Sequence, residues 1–199
     1  MTTETQNAPT ERTAARSVNG MQVDPACHAA TVFLVKKTLC EKSLHAFVKT
    51  FWHVVEPGIV FEDSWHIKAI CDHLEATVTG RIRQLLINVP PGTSKSLITC
   101  VFFPAWVWAT HPEKRFLFFS YSEALALRDS LRTRDILRSE EFLKFWPIQI
   151  KDDRDTSTRF ENVEGGWRLV GSISGRGLGE HPDYAITDDP HNVLQAESD

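Results

Sequence analysis

The sequence predicts an α/β fold with a mainly parallel sheet covered by helices on both faces. Short continuous apolar runs at Leu85–Val89, Phe116–Tyr121, Trp167–Val170 and Tyr184–Thr187 read as strands buried on both sides. Stretches of helical period lie between them, and turn signals such as Pro90-Pro91-Gly92 and His111-Pro112 mark the boundaries. Strands alternating with helices are the pattern of a layered α/β domain.

Taken in order, residues 1–24 are polar and bury too little to offset the cost of ordering, so a disordered tail is expected. From Ala29 to Thr50, Val32, Phe33, Val35, Leu39, Leu44, Phe47 and Val48 recur at helical spacing, and Pro57-Gly58 ends that helix. Asp63-Ser64 offers an N-cap to a second helix with Ile67, Ile70 and Leu74 on its apolar face, closing near Gly80. Residues 25–80 thus form a helical segment ahead of a core spanning 81–199. Leu85–Val89 opens that core as a strand. A helix is expected from Ser96 to Thr110, with Trp106 and Trp108 in the interior, and another from about Glu123 to Ser139. On the latter, Arg128, Arg132, Arg134 and Arg138 alternate with acidic residues and read as a solvated face rather than a DNA track.

Composition narrows the function classes. With 199 residues, 42% of them hydrophobic and 24% charged, the chain suits an ordinary globular core. The net charge of −4 argues against a static clamp on DNA phosphates. Cys27, Cys40, Cys71 and Cys100 form no C-x-x-C pair and are expected as buried free thiols in a reducing cytoplasm. The opening residues lack an apolar signal region, and Leu97–Thr110 is shorter than the ~20 residues a bilayer needs. A soluble, intracellular protein with no membrane partner is expected.

Chemistry concentrates at Pro90-Pro91-Gly92-Thr93-Ser94-Lys95-Ser96, between the strand at 85–89 and an apolar helix. A loop there points backbone N–H groups and a helix N-terminus at one spot, which suits phosphate. Lys95 would reach the β- and γ-phosphates of ATP, and Ser96 would coordinate Mg²⁺. The G-x-x-x-x-G-K-[ST] pattern is unmet, since Val89 and Ser94 stand at its glycine positions; by pattern alone a turn carrying a lysine fits as well. The needed carboxylates follow a strand at Asp188-Asp189, the end of an open parallel sheet where ligands gather. Asp188 would hold Mg²⁺ and Asp189 would orient or deprotonate the attacking water. Alone, Asp-Asp-Pro also reads as a turn.

Together, Leu86 to Ser96 and Ser174-Gly175-Arg176-Gly177 leading to Ile186-Thr187-Asp188-Asp189-Pro190-His191 resemble the Walker A and Walker B segments of viral terminase large subunits. Trp65-His66, followed by Leu74-Glu75 and Gly80, is similar to the segment of that family that packs near adenine. The resemblance runs from about Val32 onward. It implies a RecA-like P-loop ATPase that drives double-stranded DNA into a procapsid, with Pro91, Gly92, Thr93, Ser94, Lys95 and Ser96 around the phosphates. Its implied partners are a portal protein, a small terminase subunit and further copies in a ring, in the host bacterial cytoplasm and transiently at the portal. Ser94 in place of glycine and Asp189 where motor ATPases often carry Glu depart from the family pattern. The family's nuclease half does not follow Asp189 in these 199 residues, so a chain cut short before it is expected.

Arg176 would approach the γ-phosphate of its own or a neighbouring subunit, or be a surface arginine on a turn. Trp65 and Phe61 are candidate adenine contacts, with core packing the favoured role for each. Another RecA-like helicase or repair motor, or an inactive nucleotide-binding fragment, is the alternative.

Overall fold

A computed structural model describes residues 24–120, 122–171 and 179–189, excepting the side chain of Arg154. The expected tail through residue 23, Tyr121, the Ser174–Gly177 stretch with Arg176, and Pro190-His191 lie outside these residues. The chain divides into two compact units, Met1–Lys36 and Lys37–Asp199. In the first, Asp24 accepts a hydrogen bond from the Ala26 N–H at 3.1 Å and starts helix α1 (Pro25–Lys42). Cys27 lies exposed there, so only Cys40, Cys71 and Cys100 are the buried free thiols expected of all four.

In the second unit, helices α2 (Leu44–Val55) and α3 (Trp65–Val78) follow. The single helix expected over 29–50 is broken at Ser43, whose extended backbone and Oγ, accepting from the Ala46 N–H at 3.4 Å, start a new helix. Leu97–Phe102 forms a π-helical turn that runs into α4 (Phe103–Thr110). Pro104 has no N–H for the Cys100 carbonyl four residues earlier. That carbonyl accepts from Thr133 Oγ1 at 3.3 Å and Arg168 Nη1 at 2.7 Å, which ties the turn to its neighbours. Strand β1 (Phe116–Ser120), α5 (Glu123–Arg138), α6 (Glu140–Phe145), β2 (Ile150–Asp155), β3 (Arg159–Asn162), β4 (Trp167–Gly171) and β5 (Tyr184–Asp188) complete the order.

The sheet order is β2-β3-β4-β1-β5. Parallel pairing joins β4 to β1 and β1 to β5, but β2-β3 and β3-β4 are antiparallel, so the sheet is mixed and not mainly parallel. The reason is connection length: a parallel return needs a crossover of about a dozen residues. Thr156 instead closes β2 onto β3: its N–H donates to the Arg159 carbonyl at 2.8 Å, and its Oγ1 accepts from the Arg159 N–H at 3.0 Å. Asn162 and Gly166 close β3 onto β4. At Gly166 a Cβ would come within 2.0 Å of the Pro112 carbonyl oxygen, so only glycine fits this close approach.

Residues 85–89, expected as a buried strand, carry no strand structure, and Leu86 is 91% exposed. A strand exists through its ladder, and among the described residues β5 pairs only with β1. The 85–87 segment and β5 both line one cavity and form no ladder with each other among the described residues.

One apolar core joins α2, α3, the π-helical turn, α4 and α6 to the sheet, so residues 37–80 share their interior with the strands and the later helices. Phe47, Phe51, Phe142, Phe145 and Trp146 interlock at 4.6 to 6.4 Å between ring centroids. Trp106 and Trp108 are buried as expected, their indole N–H groups satisfied by the carbonyls of Cys40 and Lys114 at 2.8 Å. The arginines of α5 form a solvated face only in part: Arg128 and Arg138 are exposed, Arg132 is half-buried and Arg134 is buried. Arg134 and Arg138 both bind Asp155 at the end of β2, Arg132 pairs with Glu56 at 3.1 Å, and Arg128 with Asp129 at 2.9 Å. Each is paired with a carboxylate, Arg128 with one on its own helix and the other three with ones on neighbouring segments. Among the described residues no helix is long and apolar enough to cross a membrane.

Candidate functional site

The loop before the π-helical turn is shaped by two left-handed residues, Gly92 at φ 80° and Ser94 at φ 59°. Thr93 Oγ1 donates to the Pro90 carbonyl at 2.8 Å and closes the turn, and the Ser94 carbonyl accepts from the Ile98 N–H at 3.0 Å. Ser94 therefore adopts the conformation for which glycine was the expected residue. A side chain there costs about 1–2 kcal/mol, against about 0.5–1 kcal/mol of added backbone entropy for glycine. Ser94→Gly is expected to raise stability by about 0.5–1 kcal/mol. Urea unfolding would check this, and an unchanged or lower midpoint would argue against strain at this residue.

Lys95 extends from this loop to the end of β5. Its Nζ lies 3.0 Å from Asp188 Oδ1 and 2.8 Å from Asp189 Oδ1. Successive residues of a strand point to opposite faces, which would separate these carboxylates. Asp189 leaves the strand at φ 41°, and that break in alternation lets both reach one ammonium. Burial opposes the charge on Lys95, but the hydrogen bonds it donates to Asp189 and Asp188 outweigh it and hold its pKa above the usual 10.5. The stabilisation linked to the lysine's own charge is therefore fully present as pH approaches 10.5 from neutrality and is lost as pH rises through the higher folded value.

Beside Lys95 opens a cavity of about 250 Å³, walled by Leu74 and Thr77 of α3, Leu85 and Ile87, and Tyr184 to Asp188. Arg83 also lines it; no motif marks that residue in the sequence. Thr93, Ser94 and Ser96 are half-buried and Pro91 and Gly92 exposed around the lysine. The structure thus brings the loop and both aspartates together. Trp65 and His66 lie at the opposite end of α3 from Leu74, about 14 Å away along a helix rising 1.5 Å per residue, and do not line the cavity. Trp65, expected in the core, is 83% exposed at the first turn of α3, beside His66. Phe61 packs at 5.2 Å on Trp52, a core role.

Behind Asp188 stand three groups that sequence reading did not select. Cys100, Asp129 and Asp188 bring a sulfur and two carboxylate oxygens within 4.8 Å of one another. Burial pushes the Cys100 thiol up to about 12 and raises the Asp129 carboxyl above its ordinary value. Arg168, fully buried, is lowered by burial to about 10 and still carries its charge at neutral pH. An arginine inside the apolar run Trp167–Val170 was the available signal. No protein-family model matches the chain, and no curated protein matches it.

Proposed function

We propose that this chain is the ATP-hydrolysing part of a viral DNA-packaging motor, a terminase large subunit built on a RecA-like P-loop core. The observation that carries the reading is the meeting of Lys95 with Asp188 and Asp189, which are 93 and 94 positions away in sequence, at the carboxyl end of a parallel strand. A loop cation and a pair of strand-end carboxylates are the two halves of a triphosphate site. On binding ATP, Lys95 would exchange its carboxylate partners for β- and γ-phosphate oxygens. Asp189, the more exposed of the two, would then be free to orient or deprotonate the attacking water.

The Ser96 hydroxyl and Asp188 carboxylate are hard oxygen donors, the type Mg²⁺ prefers, and the buried thiol of Cys100 is not. Bound there, the ion would neutralise charge developing on the phosphates. Arg176 would complete the site from its own or a neighbouring subunit. Double-stranded DNA as substrate, a portal protein, a small terminase subunit and a ring of copies belong to this reading through the motif resemblance.

Calorimetry of the 199-residue chain with ATP and Mg²⁺, run beside a phosphate-release assay, tests it. Saturable, magnesium-dependent binding is expected in the micromolar to millimolar range, on the order of 10⁻⁶ to 10⁻³ M. Absence of binding at millimolar ATP would overturn the site. Binding accompanied by unwinding of a forked duplex would replace packaging with a helicase.

A further inference from the structure

Directly behind Asp188 is a void of about 10 Å³, close to the room one water molecule occupies. Its walls include Cys100, Phe118, Ser120, Asp129, Arg168 and Asp188. Arg168 enters from β4, is 1% exposed and lies 3.7 Å over the centre of the Phe118 ring. Its Nη1 is spent on the Cys100 carbonyl at 2.7 Å, while Nε and Nη2 meet no protein acceptor. Asp129, 4% exposed, uses Oδ1 for Arg128. Two carboxylates and two unpartnered guanidinium nitrogens therefore line a space of molecular size. Buried donors left unpaired are costly, and a molecule that both accepts and donates would satisfy the arginine and the carboxylates together.

We propose that one buried water occupies this void, accepting from Arg168 and donating to Asp129 and Asp188. Arg168 and Asp129 are then positioning residues for the carboxylate assigned above to magnesium; that last consequence rests on the ATPase reading, whereas the water itself does not. Water fits better than a metal ion, because the buried Arg168 guanidinium already brings a positive charge to the wall of the void. The arrangement joins α5 and β4 to the site, so a shift of either helix or strand would turn the Asp188 carboxylate.

The test begins with a crystal structure of the nucleotide-free chain that resolves ordered water. A single water within hydrogen-bond distance of Arg168, Asp129 and Asp188 is expected. A direct guanidinium–carboxylate contact without water, or an anomalous peak in the void after Mn²⁺ soaking, would overturn the proposal. A double-mutant cycle of Asp129→Asn and Asp188→Asn, read by urea unfolding without nucleotide, is expected to be non-additive. The double variant's unfolding constant should depart from the product of the single effects by about threefold or more, and simple additivity would count against the shared water. In the nucleotide-binding assay Asp129→Asn is expected to weaken Mg²⁺ affinity by about tenfold. Unchanged affinity in a chain that binds ATP would remove the positioning role. If the wild-type chain binds no ATP, the functional reading fails, while the crystallographic and unfolding arms still decide the water.

Discussion

Lys95→Ala is expected to lower ATP turnover by about 100-fold or more, the loss typical when one preorganised donor is removed from developing charge. The reason is geometric. Lys95 is the cation at which the loop and the strand end converge, and its ammonium already sits within 3.0 Å of both carboxylates. Without it, nothing in the described loop replaces a positive charge beside the phosphates, and Asp188 and Asp189 face each other with no counter-ion between them. Nucleotide affinity should fall along with turnover, because the lysine would contact phosphate in the ground state as well.

Asp189→Asn separates the roles. It keeps the side-chain shape and the lysine's position while removing the base, so binding should survive and phosphate release should not. Phosphate release is measured on each variant at saturating ATP, with circular dichroism confirming the fold. Turnover in Lys95→Ala within a few-fold of wild type would show that this ion pair is a structural fastener and that any nucleotide chemistry lies elsewhere.

Much of the fold was legible because its signals are local. Phe116–Ser120 and Trp167–Val170 were read from runs that fill the two central strands, β1 and β4, whereas Tyr184–Thr187 was found as a strand but lies at the sheet edge with Ala185 and Thr187 exposed instead of buried on both sides. The helix over 123–138 was read from its amphipathic period, and the structure adds its cap, Ser122, whose Oγ accepts from the Leu125 N–H at 3.4 Å. Strand β2 was not legible: Ile-Lys-Asp-Asp-Arg-Asp has no apolar alternation and owes its place to pairing with β3 and to the arginines of α5. The 85–89 run failed in the opposite sense, since an apolar composition promises burial but not a ladder partner. At the site, Lys95, Asp188 and Asp189 were readable from motif and strand-end logic, while the conformation at Asp189 that joins them was not. Nor were Asp129 and Arg168, whose neighbourhood depends on packing between α5, β4 and the π-helical turn. The exposure of Trp65 likewise follows from its place at the end of a helix, which hydrophobicity alone cannot reveal.

Asp155→Ala is expected to destabilise the chain by about 3–5 kcal/mol, a large share of the roughly 5–15 kcal/mol that holds a domain folded. Asp155 ends β2 and receives Arg134 on one oxygen and Arg138 on the other. Arg134 is 7% exposed, lies 5.1 Å over the Phe160 ring and, among the described residues, has the Thr156 carbonyl at 3.2 Å as its one further acceptor. Removing the carboxylate strands a desolvated guanidinium, whose Nε is already without a partner. Arg138 is largely solvent-facing and should account for only about 0–1 kcal/mol of the loss. The two sources of cost separate through the double variant Arg134→Met, Asp155→Ala. With the buried charge gone, an apolar side chain of similar length can pack on Phe160, and the double variant should be more stable than Asp155→Ala alone. Urea unfolding followed by tryptophan fluorescence measures all three proteins. A loss below about 1 kcal/mol in Asp155→Ala would mean that Arg134 finds water when its partner is removed. In that case the register between α5 and β2 would rest on apolar packing instead.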